Sequence, residues 1–394
     1  MPAGLVLLLL LLAPAGPRAQ AGTPPPGAQP TALSAAQVTA AIDKLGVLEF
    51  PIRMEAARTI RRAPAALAAA ALTEAVSNHK DGYVRFRALI LLSGFNDPRT
   101  HDVMIRMLGE KNDRLRAVAY AFFEHNPDPA ALPRLIEALP REDSEFVRPA
   151  LTRAIAAHGR EKSAQQTMTQ LVTRGQDFFR SAVIEAIGDY KGAYAFAALT
   201  EVAKLEGPLQ DDAVLALGKL GDKRAVDTFA VLQRTAPRTT QPAIAAAICL
   251  LKINCASHQG YLAETLEFAI SKTGFQDLLR GATSGLGMLA VSGNDEAMRN
   301  LIELGAPARD PARAAIALAL GTVALRNTAV TLKVLEGAPN RDAAIELLRD
   351  AFDMLEEDFV EERFFVTVRR GFWQAAPGSP ARALAEALIR KLEF

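Results

Sequence analysis

One position in the sequence recurs along most of the chain at intervals of 28 to 39 residues, and it constrains the fold more than any other feature. In most copies an arginine follows an apolar residue, and a small or apolar residue stands three positions later. The ten positions are occupied, in order, by Arg53, Arg85, Arg116, Arg148, Arg180, Asp211, Gln241, Arg280, Arg313 and Arg341. A period in this range is typical of repeat architectures. The sequence therefore predicts about ten structural units stacked in a row.

The pattern inside each unit is helical. Ala88 and Leu92 stand three and seven residues after Arg85, so they share one helix face, and the other units repeat this spacing. A second helix is predicted after a short turn, because Asn96-Asp97-Pro98 and Pro127-Asp128-Pro129 each place a capping Asp before a proline. No strand pattern interrupts the series. One helix pair cannot bury its apolar face alone, so the pairs are predicted to stack into an all-α solenoid with an extended curved surface.

The segment Asp81-Gly82-Tyr83-Val84-Arg85-Phe86-Arg87-Ala88 carries the signature Asp-x-x-Val-Arg-x-x-Ala. On this motif the chain resembles HEAT repeats, specifically the short units of phycobilisome-lyase-type HEAT-like proteins, over about residues 49–350. The resemblance implies that the Val-Arg helix lines the concave face. It also implies protein binding or scaffolding, with a minority of enzymatic or chromophore-handling members. Asp211 and Gln241 depart from the arginine of the motif.

Two readings of the recurring arginines are open, a structural tie between repeats and an anion-binding ladder. The structural tie is favoured, because the residue recurs with the period of the fold, which a binding site does not require.

The N-terminus is typical of a secretory signal. Leu5 to Ala13 is an apolar stretch too short to span a bilayer, and Ala19-Gln20-Ala21 forms an A-x-A cleavage pattern. We therefore predict a signal peptide over 1–21, cleaved after Ala21, and a secreted or periplasmic location. The first four residues carry no Lys or Arg, so an uncleaved apolar tail is the alternative. A Pro-rich linker is predicted over 22–33, and no transmembrane segment is predicted in the mature chain.

Charge and cysteine content narrow the remaining choices. The chain has 45 basic and 44 acidic residues, and removal of Arg18 with the signal leaves no basic excess, so no nucleic-acid partner is predicted. Cys249 and Cys255 are a candidate disulfide in an oxidising compartment, but a continuous helix would hold them too far apart. Pairing requires the helix to end between them, near Asn254; two buried thiols are the alternative.

The segment 351–394 breaks the repeat pattern and concentrates aromatic residues. A terminal unit that caps the solenoid over 34–350 is the first interpretation. The second is a partner-binding patch, because aromatic residues and arginine are enriched at interaction hot spots. The candidate residues of this patch are Phe359, Phe364, Phe365, Arg369, Arg370, Phe372 and Trp373.

The sequence predicts no catalytic, cofactor-binding or metal site. The five histidines have no metal-ligand spacing, and G-x-S-x-G is absent. The glycine-rich segment 281–287 lacks the lysine of a phosphate loop. We therefore predict an exported, non-enzymatic scaffold that presents a concave repeat surface to a protein partner. The alternative is a ligand-handling or lyase-like repeat protein with a pocket on that surface.

Overall fold

The computed structural model describes residues 33–355 and 358–394, and the predicted signal and all but the last residue of the predicted linker lie outside them. Within these ranges the chain forms 22 α-helices, two short 3₁₀ turns and no strand. The helices are α1 Ala35–Asp43, α2 Phe50–Arg62, α3 Ala65–Asn78, α4 Gly82–Ser93, α5 Arg99–Met107, α6 Asp113–His125, α7 Leu132–Ala138, α8 Arg148–Ala157, α9 Lys162–Val172, α10 Asp177–Asp189, α11 Phe196–Ala203, α12 Gln210–Leu220, α13 Ala225–Thr235, α14 Gln241–Leu250, α15 Cys255–Ser271, α16 Gln276–Val291, α17 Asp295–Gly305, α18 Ala312–Arg326, α19 Thr328–Gly337, α20 Arg341–Leu355, α21 Asp358–Gln374 and α22 Pro380–Lys391.

The predicted all-α solenoid is confirmed. Each of the ten recurring positions lies near the start of an even-numbered helix, from α2 to α20. From α4 to α20 each even-numbered helix packs against the next one, and the odd-numbered helices lie outside this layer and connect successive members. The units are therefore helix pairs, as the period indicates.

Small residues set the close spacing of the inner layer. A Cβ added at Gly218 of α12 would lie 2.6 Å from the Cα of Ala247 on α14. One added at Gly188 of α10 would lie 2.9 Å from the Cα of Ala216 on α12. Neither distance leaves room for a side chain, so the backbones of consecutive inner helices are nearly in contact here.

The C-terminal segment does not continue the stack. α22 packs on α19 and α20, which is the place of the outer helix of the tenth unit. α21 instead crosses to α4, α6 and α18. A salt bridge between Arg326 of α18 and Glu124 of α6, 3.3 Å long, also joins units that are far apart in sequence. The predicted extended surface is therefore wrong at this end, because the curvature of the array brings its first and last units together.

Within 33–355 and 358–394 no single helix is long and apolar enough to cross a membrane. The pair α18 and α19 reaches that length and composition only across a bend of 117°.

Candidate functional site

The recurring arginines close the ends of the outer helices. The last carbonyls of a helix have no partner within it. Arg85 Nε donates to the carbonyl of Val76 at 2.7 Å, and Arg180 Nε donates to that of Val172 at 3.0 Å. The same contact is made to a carbonyl six or seven residues earlier, at or just beyond an outer helix or the 3₁₀ turn after α1, by Arg53, Arg116, Arg148, Arg313 and Arg341. These contacts support the reading of the arginines as structural ties.

Units six and seven keep this contact with glutamine. Gln241 Nε2 donates to the carbonyl of Ala236 at 3.2 Å. In unit six the donor is Gln210, whose Nε2 lies 3.0 Å from the carbonyl oxygen of Ala203, so the residue in the structural role stands one position before Asp211. An ionised aspartate has no proton to donate, which explains the shift.

Unit eight departs from this arrangement. The Arg280 side chain is 73% exposed, and it pairs with Asp277, which stands three residues earlier in the first turn of α16. No hydrogen bond from Arg280 to an outer-helix carbonyl is present in the described part of the chain. Its guanidinium is therefore directed to the surface.

An open groove of about 540 Å³ lies where the arginine pattern lapses, along the first halves of α12, α14 and α16. The small residues Ala243, Gly281 and Ser284 are part of its lining. Four carboxylates and one guanidinium line it, belonging to Glu206, Asp211, Asp212, Asp277 and Arg280.

Two carboxylates of the groove are held in an unfavourable environment. Burial raises the pKa of Asp211, and a hydrogen bond from Thr240 offsets this only in part. Burial also raises the pKa of Asp212; a hydrogen bond with Ser181 and the charge of Lys219 oppose the shift, and the nearby Glu185 and Asp211 reinforce it. Neither carboxylate has a cationic partner close enough to reverse the shift. A positive charge placed in the groove would therefore interact favourably with both.

Charged side chains at the opposite, C-terminal ends of the inner helices form a largely buried cluster. The Glu124 carboxylate accepts hydrogen bonds from Arg153 Nε at 2.8 Å and from the Tyr190 hydroxyl at 2.9 Å, besides the contact with Arg326. The Asp189 carboxylate accepts from Arg153 Nη1 at 2.7 Å and from Lys219 Nζ at 2.6 Å. These groups join α6, α8, α10, α12 and α18.

Charge pairing outweighs burial within this cluster. Burial acts to raise the pKa of Asp189, but Lys219 and Arg153 lower it to about 2. The pKa of Glu124 is lowered as well, because Arg153 and Arg326 oppose the effect of its burial. Burial lowers the pKa of the neighbouring His125 to about 4, so this imidazole is neutral at pH 7.

The structure separates the seven predicted partner-binding residues. Phe359 is 5% exposed against Phe122 and His125, and Phe364 is 1% exposed against Phe352. Phe365 stacks on Phe394, Arg369 pairs with Glu362, and Phe372 lies under Arg382. Arg370 and Trp373 are exposed. A single patch of all seven is therefore not presented in this conformation, and partner binding at Arg370 and Trp373 stays a prediction.

The two cysteines lie on either side of a helix break, as pairing requires. α14 ends at Leu250, Asn254 adopts a left-handed conformation, and α15 begins at Cys255. The Cα atoms of Cys249 and Cys255 are 4.1 Å apart, and the structure joins their sulfurs in a disulfide. Among the described residues, no group of three His, Cys, Asp or Glu side chains could hold a metal ion.

Comparison with known proteins supports the repeat assignment. Residues 69–156 match the family model described as HEAT repeats. The chain is a HEAT-like repeat protein. No curated protein sequence matches it.

Several solved structures are similar to this HEAT-like chain at low sequence identity. The Escherichia coli protein YibA is 20% identical, with a TM-score of 0.41, over 56% of this chain and 82% of that one. The CpcE–CpcF complex of phycocyanin lyase from a Nostoc species is 20% identical, with a TM-score of 0.41, over 66% and 97%. Kap95p, solved with Ran–GDP, is 14% identical, with a TM-score of 0.41, over 91% and 55%.

The sequence marks the groove by departures from the arginine pattern, but these departures alone did not predict a binding site. Asp211 and Gln241 are the two departures from the arginine pattern, and both lie in the helices that form the groove. The interior cluster gave no such signal, because its members are separated by up to 202 residues.

Proposed function

We propose that this HEAT-like repeat scaffold is exported and binds a protein partner in the groove along α12, α14 and α16. The observation that carries the proposal is that two partly buried aspartates line an open groove, and that neither Lys219 nor Arg280, which pairs with Asp277, offsets the rise in their pKa. Holding charge where burial opposes it lowers folded-state stability, and such groups concentrate at functional sites. A lysine or arginine of the partner supplies the missing charge.

A ligand-handling function is the second candidate, and the size of the groove favours it. A volume near 540 Å³ lies within the usual range for small-molecule sites. Such sites are mainly apolar, however, whereas this groove is lined by four carboxylates. In this second function the ligand is a small cationic molecule, which takes the place that the lysine or arginine of a protein partner has in the first.

The binding test compares two variants with the same change of charge. Asp211→Asn/Asp212→Asn removes two groove carboxylates and retains the oxygen that accepts a hydrogen bond. Glu264→Gln/Glu267→Gln removes two exposed carboxylates on the outer helix α15. Each protein serves as bait for an envelope extract, and the retained protein is identified and its dissociation constant measured.

We expect the wild type and the α15 variant to bind the same partner, and the groove variant to bind it at least tenfold more weakly. Equal binding by both variants would contradict the groove as the contact. Retention of a small cationic molecule with no protein would favour the ligand-handling function instead.

Export is tested separately through the N-terminus and the disulfide. The A-x-A pattern and the paired cysteines support an oxidising destination. Expression of the full chain in a bacterium with a periplasm should yield a periplasmic protein that begins at Gly22. Its mass should be lower than that of the reduced chain by two hydrogen atoms, because the disulfide has formed. Ala19→Glu/Ala21→Glu should block cleavage. Recovery of the wild type from the cytoplasm with residues 1–21 attached would overturn the proposal.

A further inference from the structure

α21 contacts the rest of the molecule as a bound helix would. It lies outside the stack, because α22 occupies the outer position beside α19 and α20. Its anchors are the buried Phe359 and Phe364, and between them the Glu362 carboxylate is 2% exposed. A few buried aromatic anchors around one satisfied charge are the usual make-up of a protein interface.

The surface beneath α21 selects for acidic and aromatic side chains. Arg61 of α2 binds both oxygens of Glu362, through Nε at 3.2 Å and through Nη2. Phe359 lies against Phe122 and stacks on the neutral ring of His125. Further along, Arg363 of α21 interacts electrostatically with Glu124, the buried carboxylate that Arg153 and Arg326 hold.

The contact leaves donors unused. Nη1 of Arg61 and Nη1 of Arg369 are buried without a hydrogen-bond partner in the described part of the chain. The Arg61 side chain is only 8% exposed. A buried donor without an acceptor destabilises its environment. A helix that brings a second carboxylate to Arg61 would therefore bind this surface better than α21 does.

We propose that α21 is an exchangeable occupant of an interaction surface whose outside ligand is an acidic, phenylalanine-containing amphipathic helix of a partner protein. The binding of that helix displaces α21 and opens the closed array. This surface lies at the opposite ends of the inner helices from the groove, so the two proposals are independent.

Gly94 offers a way to release α21 without altering it. A Cβ at Gly94, after the end of α4, would lie 2.9 Å from Glu362 Oε1 and 3.3 Å from Val366 Cγ2. Gly94→Val therefore crowds α21. Gly109→Val is the matched control, because Gly109 also follows a helix end and its nearest atom, the carbonyl oxygen of Arg106, lies at 3.9 Å.

The experiment uses the full chain and a fluorescent peptide with the sequence of residues 358–374. In Gly94→Val we expect hydrogen exchange to show faster exchange in α21 but not in α13 to α17. That variant should bind the peptide at least tenfold more tightly than the wild type or Gly109→Val does. A Glu362→Lys peptide should bind at least tenfold more weakly than the native peptide.

If hydrogen exchange shows that α21 stays bound in Gly94→Val, the double variant Phe359→Ala/Glu362→Ala is used instead. The expected exchange of α21 and the expected affinity for the peptide are the same. The proposal is overturned if neither variant opens α21, if an opened variant fails to bind the peptide, or if the Glu362→Lys peptide binds as well as the native one.

Discussion

Glu124 is the residue on which the interior charges converge. It receives a hydrogen bond or salt bridge from α8, α10 and α18, and Arg363 of α21 is close enough to interact electrostatically. Only 5% of the residue is exposed, so water does not stabilise its charge. The ionised carboxylate is stabilised by these partners instead. Loss of this one carboxylate removes the anion that Arg153 and Arg326 share, and leaves Arg153 with Asp189 alone.

Glu124→Ala should lower the free energy of unfolding by about 3–5 kcal/mol, because it leaves Arg153 and Arg326 short of an anion. Tyr190→Phe should cost only about 1 kcal/mol, since it removes one hydrogen bond to the same carboxylate. Urea denaturation measures both values. The control is Glu137→Ala, whose exposed pair with Arg141 should be worth less than about 1 kcal/mol. A loss as small as the control's would contradict the role of Glu124.

His125 should make the protein less stable in mild acid. Burial lowers its folded-state pKa to about 4 from 6.5, so the unfolded chain binds the proton more readily between these values. Stability from this residue is complete above pH 6.5 and falls by roughly 3 kcal/mol as the pH drops to 4. Asp211 and Asp212, with raised pKa values, shift stability the opposite way, so the wild type must be compared with His125→Gln. The variant should lose this slope in urea titrations at pH 4 to 7, and an unchanged slope would contradict the assignment.

At the scale of the helices, local sequence was sufficient to place most elements. The arginine period located the start of each inner helix, because a donor is needed wherever an outer helix ends. The sequence also distinguishes Gln210 from Asp211 as the donor in unit six, since only the glutamine can donate a hydrogen bond. The path of α21 could not be derived this way. It depends on pairs such as Arg61–Glu362, separated by 301 residues, which form only after small rotations have accumulated over the whole array.

Gly218→Ala should destabilise the contact between α12 and α14. The added methyl would meet the backbone of Ala247, which cannot move without displacing α14, so we expect a loss of about 1–3 kcal/mol. Gly260→Ala on α15 is the control, because nothing lies within 4 Å of the new Cβ. That change should stabilise the helix by about 1 kcal/mol. Thermal unfolding of both variants decides the matter, and equal shifts would contradict the backbone contact.

At the scale of the whole molecule, α21 turns a row of units into a closed body. Open solenoids are stabilised only by contacts between neighbouring units. Here Glu362 ties α21 to Arg61 in the first unit, and Glu124 ties the third unit to the ninth through Arg326. Distant units are therefore coupled, which a linear array does not allow.

Glu362→Ala should uncouple the first units from the last. We expect a larger radius of gyration in X-ray scattering, because Arg61 and Arg369 lose their shared carboxylate. Calorimetry should show two transitions in place of one, as the units then unfold in separate groups. Glu296→Ala, at an exposed pair with Arg299, should change neither measurement. A single transition at an unaltered radius in Glu362→Ala would disprove coupling through this helix.

The closure also determines how the molecule would respond to mechanical force. A linear stack of helix pairs extends like a soft spring, because a pull on its ends is shared among all the interfaces between neighbours. In this chain a pull between the first unit and α22 acts first on α21, whose buried carboxylate is held by Arg61. The molecule should resist stretching until that contact shears, and then lengthen abruptly as the freed units yield.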